Sequence, residues 1–402
     1  MLDPQLRDLR LKVETELTQG ILPFWLSNTF DHERGGFIGR IGDGLKPDPH
    51  VEKGLILNAR ILWTFSRAWR FQQKPEYLDA ARRAYDYLTR CFQDREFGGY
   101  YWMLDCDGHP TDTRKRIYSQ AFTIYALAEY SNASQDAQAL NTAIALVDKI
   151  ESAGHDPVGG GYFETYERDW SLAADQRLSE VDMDEKRSQN THLHVMEAYA
   201  TLLRVHENPL VRTRLRELIE IFLERILNPA NHHMQLFFDE AWRAQSKIIS
   251  YGHDIEGSWL LVEAAEVLGD RPLLEQVRNT AVQMAQAVWN EALDPDGGLI
   301  YEGSPEGVHD SDKHWWPQAE AVVGFLNAWQ ISGQPHFRQA AIRSWQFIED
   351  HIIDHEFGEW FWKVSRECVP AKGFDKVGPW KCPYHNSRTC FEVIERLDAI
   401  SK

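Results

Sequence analysis

Apolar residues recur along the chain at spacings of three and four, as in Leu6, Leu9, Val13, Leu17 and Ile21, and in Ala80, Ala84, Tyr87, Leu88 and Cys91. That period lays them along one stripe of a helix. Segments of this kind fall into two alternating sets. The first covers 6–22, 76–92, 137–152, 210–226, 273–290 and 336–352; the second covers 54–70, 118–131, 192–206, 254–268, 316–331 and 387–400. Between the two members of a pair lie short aromatic runs with strand character, such as Gly99-Tyr100-Tyr101-Trp102-Met103 and Glu359-Trp360-Phe361-Trp362-Lys363.

The pairs follow an internal repeat. Gly35-Gly36-Phe37, Gly98-Gly99-Tyr100, Gly160-Gly161-Tyr162, Gly297-Gly298-Leu299 and Gly358-Glu359-Trp360 mark successive units, and Leu236-Phe237-Phe238-Asp239 fills the one wide gap as a degenerate copy. Six units of about 60 residues result, longer than the common solenoid repeats. Twelve helices in six hairpins predict an all-α (α/α)6 barrel, with the second helices inside, the first outside and short β-hairpins in the loops at the mouth. Closure explains why no polar capping repeat stands at either end. No linker or low-complexity segment interrupts the series, so 1–402 is expected to be a single domain.

In such a barrel the starts of the second helices meet at one rim. The stretch Ser250-Tyr251-Gly252-His253-Asp254-Ile255-Glu256 opens the fourth of them, with Ser250 or Asp254 as its cap and a helix from near Asp254. His253 and Glu256 share a face of the first turn, so the carboxylate can hold the imidazole's tautomer. Alone, such a pair is better read as a His and a Glu that cap a helix and face water. The other rims carry Asn58, Arg60 and Trp63; Arg116, Tyr118 and Gln120; Asn190, His192 and His194; His314, Trp316, Gln318 and Glu320; and Trp380, Tyr384, His385 and Asn386. A lone Arg60 would pair with an acid, a lone His385 in a loop after Pro383 would face water, and of His192 and His194 only one can point inward. Their convergence favours a functional site.

Several imidazoles near neutral pKa suit proton transfer on and off a carbon beside a carbonyl, with an arginine for the enediolate oxygen. A glycosidase would instead need two opposed carboxylates. No phosphate loop, dinucleotide fingerprint or H-E-x-x-H pattern occurs, so neither a cofactor nor a metal is expected. The net charge of -18 argues against nucleic acid and anionic membrane as partners. The polar start of the chain, the lack of a long apolar run and five cysteines without C-x-x-C predict a reduced cytoplasmic protein. A monomer or simple homodimer is expected, although nothing in these features fixes the oligomeric state. Core packing can absorb many of the fifteen tryptophans, but flat aromatic faces of this kind also serve sugar-binding sites.

Lys53-Gly54 through Asn58-Ala59-Arg60-Ile61-Leu62-Trp63 resembles a motif of the N-acylglucosamine 2-epimerase superfamily. Asn190-Thr191-His192-Leu193-His194, Gly252-His253-Asp254-Ile255-Glu256, Lys313-His314-Trp315-Trp316-Pro317-Gln318-Ala319-Glu320 and Trp380-Lys381-Cys382-Pro383-Tyr384-His385-Asn386 resemble its cellobiose 2-epimerase branch. The resemblance spans nearly the whole chain and implies the same barrel. It implies inversion at C2 of a reducing-end glucose or mannose in a β-1,4-linked disaccharide, with a reducing sugar as the only partner. By position it makes His253 and His385 the two acid/base groups, His194 a third imidazole near the C1 and C2 oxygens, Arg60 the enediolate ligand and Glu256 the partner of His253. Trp316 and Trp380 become stacking platforms, and Tyr118, Asp182 and Asn190 further polar contacts. The alternatives are an aldose–ketose isomerase of the same superfamily acting on free mannose, a hydrolase, and a non-catalytic sugar-binding module.

Overall fold

A computed structural model describes residues 2–401. Among these residues twelve helices form six hairpins. The outer helices are α1 (Pro4–Thr15, running on through a π-helical turn, Glu16–Ile21, into Leu22–Asn28), α3 (Pro75–Tyr87, with Leu88–Phe92), α5 (Ala137–Ala153), α7 (Pro209–Ile221, with Phe222–Ile226), α9 (Arg271–Glu291) and α11 (Pro335–Phe347, with Ile348–Ile352). The inner helices are α2 (Leu55–Gln72), α4 (Ile117–Ser134), α6 (Gln189–Val205), α8 (Tyr251–Leu268), α10 (Trp315–Ser332) and α12 (Tyr384–Ser401).

Each inner helix packs on the next, and α12 returns to α2, so the ring is closed. This is the (α/α)6 barrel that the repeat predicts. The local sequence punctuates it. Pro4, Pro75, Pro209 and Pro335 each open an outer helix, where a missing N–H costs nothing. Gln73, Gln135, Gly269 and Gly333 end inner helices in the left-handed conformation. Inner helices such as α4 are buried nearly all round, whereas α3 buries one stripe.

The short strand before an inner helix pairs antiparallel with a strand of the following unit. Lys53–Gly54 joins Met103–Leu104, Lys115–Arg116 joins Thr165–Tyr166, Arg187–Ser188 joins Phe237–Phe238, Ile249–Ser250 joins Glu302–Ser304, and Lys313–His314 joins Lys363–Val364. An Ile41–Val377 bridge closes the circuit. Met103 and Lys363 are thus the only parts of the expected aromatic strands that enter these ladders; the rest forms turns and single bridges such as Gln93–Tyr100.

The repeated turn carries a buried ion pair. Lys53 meets Asp31 at 2.6 Å, Lys115 meets Asp94 at 2.9 Å, and Lys376 meets Asp354 at 2.6 Å. The fourth copy corrects the sequence reading. It is not Leu236–Asp239 but Asn228 with His232 and His233, which make the same two backbone bonds as Asp94 does with Gly98 and Gly99. His232 holds φ at +63° where other copies have glycine, and His233 with Asp254 replaces the lysine–aspartate pair at 2.7 Å. Histidines in place of the paired glycines hid this copy in the sequence.

Candidate active site

A helix starting at the rim can offer its first turn directly and its second turn by side chains that lean back toward the N-terminus. Both turns are used. Counting from the helix start, the sixth residues of α2, α6, α8 and α10 are Arg60, His194, Glu256 and Glu320. All four are buried in the middle of the ring. The fourth residues of α4, α6, α8 and α10 are Gln120, His192, Asp254 and Gln318, and they bond the backbone of Tyr100, Tyr162, Met234 and Leu299 in the repeated turn. His192 is therefore a structural member of a repeat position, and His194 is the one that faces the site.

A cavity of about 550 Å³ opens there, within the range of small-molecule sites. It is lined by Arg60, Tyr118, Asp182, Asn190, His194, His253, Glu256, Trp316, Trp380 and His385. All ten candidate residues thus meet at one place. A neighbouring cavity of about 500 Å³ also borders Asp182, Asn190, His253 and Tyr301, so the cleft continues beyond the room one sugar ring takes.

His253 and His385 lie against the same indole. Their ring centroids are 4.7 and 5.6 Å from that of Trp316. His385 donates Nδ1–H to Glu320 Oε1 at 2.7 Å, which leaves Nε2 as the free atom. Burial, with the Arg60 and Arg388 charges, keeps its imidazole unprotonated, far below the usual range. Burial, followed by His194, lowers His253 to about 3. Both rings are therefore lone-pair bases in the resting site. His194 donates Nδ1–H to Glu197 at 2.8 Å and packs edge-on against Tyr118.

Four expectations need correction. α8 begins at Tyr251 rather than near Asp254, and neither proposed cap bonds the helix end: Ser250 occupies the cap position but its hydroxyl makes no cap bond. That hydroxyl lies 2.8 Å from His253 Nδ1 instead. Glu256 is not the partner of His253; its Oε1 accepts from Arg388, and the two side chains leave the helix in different directions. His385 is not in a loop but is the second residue of α12, buried at 6% exposure. Among the described residues Arg60 pairs with no acid. It donates to the Tyr118 hydroxyl at 2.8 Å and lies over the faces of Phe122 and Tyr384.

Arg388 is the residue the sequence reading missed. It is buried, and its guanidinium donates to Glu197, Glu256 and Glu320 together. Burial pushes Glu197 up, but Arg388, then His194 and Tyr384, hold it down at about 2. The donor atoms of Glu256, Glu320 and His385 lie within 4.8 Å of one another, close enough for a metal ion. The guanidinium already occupies the position between the two carboxyl groups. The signal available in sequence was an arginine one turn after Tyr384 near the start of the last inner helix.

A closed helical ring with imidazoles, an acid-free arginine and indole faces around one cleft is the architecture of a sugar-handling barrel. The sequence pattern of the N-acylglucosamine 2-epimerase family matches residues 36–386, and the chain belongs to that family. It is 45% identical to the cellobiose 2-epimerase of Bacteroides fragilis over 387 residues, covering 96% of this chain and 98% of that one. The solved cellobiose 2-epimerase of Bacillus thermoamylovorans superposes with a TM-score of 0.93 at 38% identity, covering 97% of this chain and all of that one. The D-mannose isomerase of Marinomonas mediterranea is more distant, at 26% identity over 94% of this chain and 95% of that one.

Proposed function

We propose that the protein is an epimerase that inverts C2 of the reducing-end glucose or mannose of β-1,4-linked disaccharides such as cellobiose, lactose and mannobiose. The observation that carries this is the pair of unprotonated imidazoles, His253 and His385, on one tryptophan in one cavity with Arg60. The relatives named cellobiose 2-epimerase support the same reading. In the proposed path the sugar ring opens, and one imidazole Nε2 takes the C2 proton. The electron pair moves into a C1–C2 enediolate whose oxygen is held by Arg60, with His194 beside it. Rotation about C2–C3 presents the other face, and the second histidine takes a proton from solvent and delivers it to C2, while the first releases the proton it took to solvent. Trp316 and Trp380 serve as stacking faces, and Tyr118, Asp182 and Asn190 as polar contacts.

Ring exchange in deuterated water tests the path. Product isolated from cellobiose in D₂O is expected to carry deuterium at C2; epimerisation without such incorporation would rule out the enediolate. A parallel incubation with mannose, read by NMR, separates the alternative of a mannose-to-fructose isomerase. The length of the cleft and the weaker identity to the mannose enzyme favour the disaccharide.

Ser250 is assigned a positioning role, since its hydroxyl is the only partner of His253 Nδ1 among the described residues. Ser250→Ala is expected to lower kcat about tenfold with little change in KM. Equal loss in kcat and gain in KM would show that the hydroxyl serves the substrate instead. The proposal takes residues 1–402 as one cytoplasmic catalytic domain working without cofactor or metal, as a monomer or simple homodimer; the five free thiols are consistent with a reducing compartment. Among the described residues no helix is long and apolar enough to cross a membrane.

A further inference from the structure

We propose that Glu256 is held as the neutral carboxylic acid and presents a hydroxyl, rather than a negative charge, to the sugar in the cavity. The inference deepens the epimerase reading and rests on it only for the identity of the bound sugar.

Three carboxyl groups share one guanidinium at the heart of the ring. If all were ionised, Arg388 would leave two buried negative charges unpaired, and even with Arg60 the site would keep one. The bonding pattern singles out which group holds a proton. Glu197 accepts from His194, Tyr384 and Arg388. Glu320 accepts from Trp259 at 3.1 Å, from His385 and from Arg388. Among the described residues Glu256 accepts only from Arg388, through Oε1. Its Oε2 is buried and has no partner among the described residues. A bare carboxylate oxygen in that position would be the costliest arrangement, whereas an Oε2–H needs only one acceptor. Glu256 lines the cavity, so a sugar oxygen is the acceptor within reach.

The groups facing Glu256 point the same way. Glu197 and His194 approach from α6, Glu320 from α10, Arg388, Tyr384 and His385 from α12, and Tyr118 from α4. Burial first, and then the Glu320 charge, raise Glu256 to about 7 despite Arg388. The chemistry gains from it. An anion here would repel the enediolate, while a neutral donor can stabilise charge on its oxygens.

Infrared spectroscopy of the full-length protein reads the protonation directly. The difference between wild type and Glu256→Gln at pH 6 is expected to show a protonated carboxyl C=O band that fades as pH rises through about 7. Glu16 and Glu164, also raised to about 7 by burial, contribute bands that cancel in the difference. Should Glu256→Gln fail to fold, Glu256→Asp serves instead, where the band should move rather than vanish. Addition of cellobiose should shift the band, as its hydroxyl finds an acceptor. A difference spectrum with only ionised carboxylate at pH 6 overturns the proposal. A band that ignores cellobiose under turnover overturns the donation to sugar. A band present in a protein that neither binds nor epimerises cellobiose leaves the protonation standing and refutes the epimerase reading instead.

Discussion

His385→Asn is expected to lose epimerisation by at least about a thousandfold while keeping the wild-type melting temperature. Asparagine can place its Nδ2 where imidazole Nδ1 lies, so the bond to Glu320 survives and only the Nε2 base is deleted. His253→Asn does the same against Ser250. Each variant retains the other base, however. That base can still remove the C2 proton of the epimer whose C–H it faces and return one from solvent on the same side. His253→Asn should therefore wash deuterium into one epimer and His385→Asn into the other, with neither variant interconverting them. NMR of glucose-ended and mannose-ended disaccharides in D₂O reads all four combinations. If both variants label the same epimer, the two histidines do not serve opposite faces; if either epimerises near the wild-type rate, that residue is not an acid/base group.

The ring was legible because burial on both sides leaves a mark in composition. Outer helices such as α3 show a stripe, and inner ones such as α8 open with polar residues and then run apolar. The site's membership was legible for the same reason: polar groups at the starts of apolar helices have to meet one another. Pairings within it were not. His253 and Glu256 are three apart, yet helix geometry sends His253 toward Trp316 and Glu256 toward the ring axis. The actual partner of His385 is Glu320, supplied by the neighbouring helix, a contact of the closed ring and not of any local spacing. Arg388 escaped notice because its role depends on three acids from three other helices. The fourth repeat copy was misplaced because His232 takes a left-handed backbone that the other copies leave to glycine.

Arg388→Met is expected to cost about 3–5 kcal/mol of stability, the usual penalty for leaving buried charge without its partner. Methionine roughly fills the stem but supplies none of the donors to Glu197, Glu256 and Glu320. The loss should depend on pH in a defined direction. In the wild type, burial raises Glu197, but Arg388, His194 and Tyr384 more than compensate and depress it to about 2. A depressed carboxylate adds stability above its unfolded value near 4.3, and that stability fades as pH falls toward the folded value. Without Arg388 most of that contribution disappears. The gap between variant and wild type should therefore be widest near pH 7 and shrink as pH falls from about 4 toward about 2, where Glu197 protonates in the wild type as well. Urea denaturation at pH 7 and at about pH 2.5 measures it. Adding Glu320→Gln to Arg388→Met should recover part of the loss, because one unpaired charge is removed, whereas Glu320→Gln in the wild type should destabilise. A pH-independent loss, or strict additivity of the two substitutions, would mean that Arg388 acts by packing against Trp259 and Tyr384 and not by holding the acids.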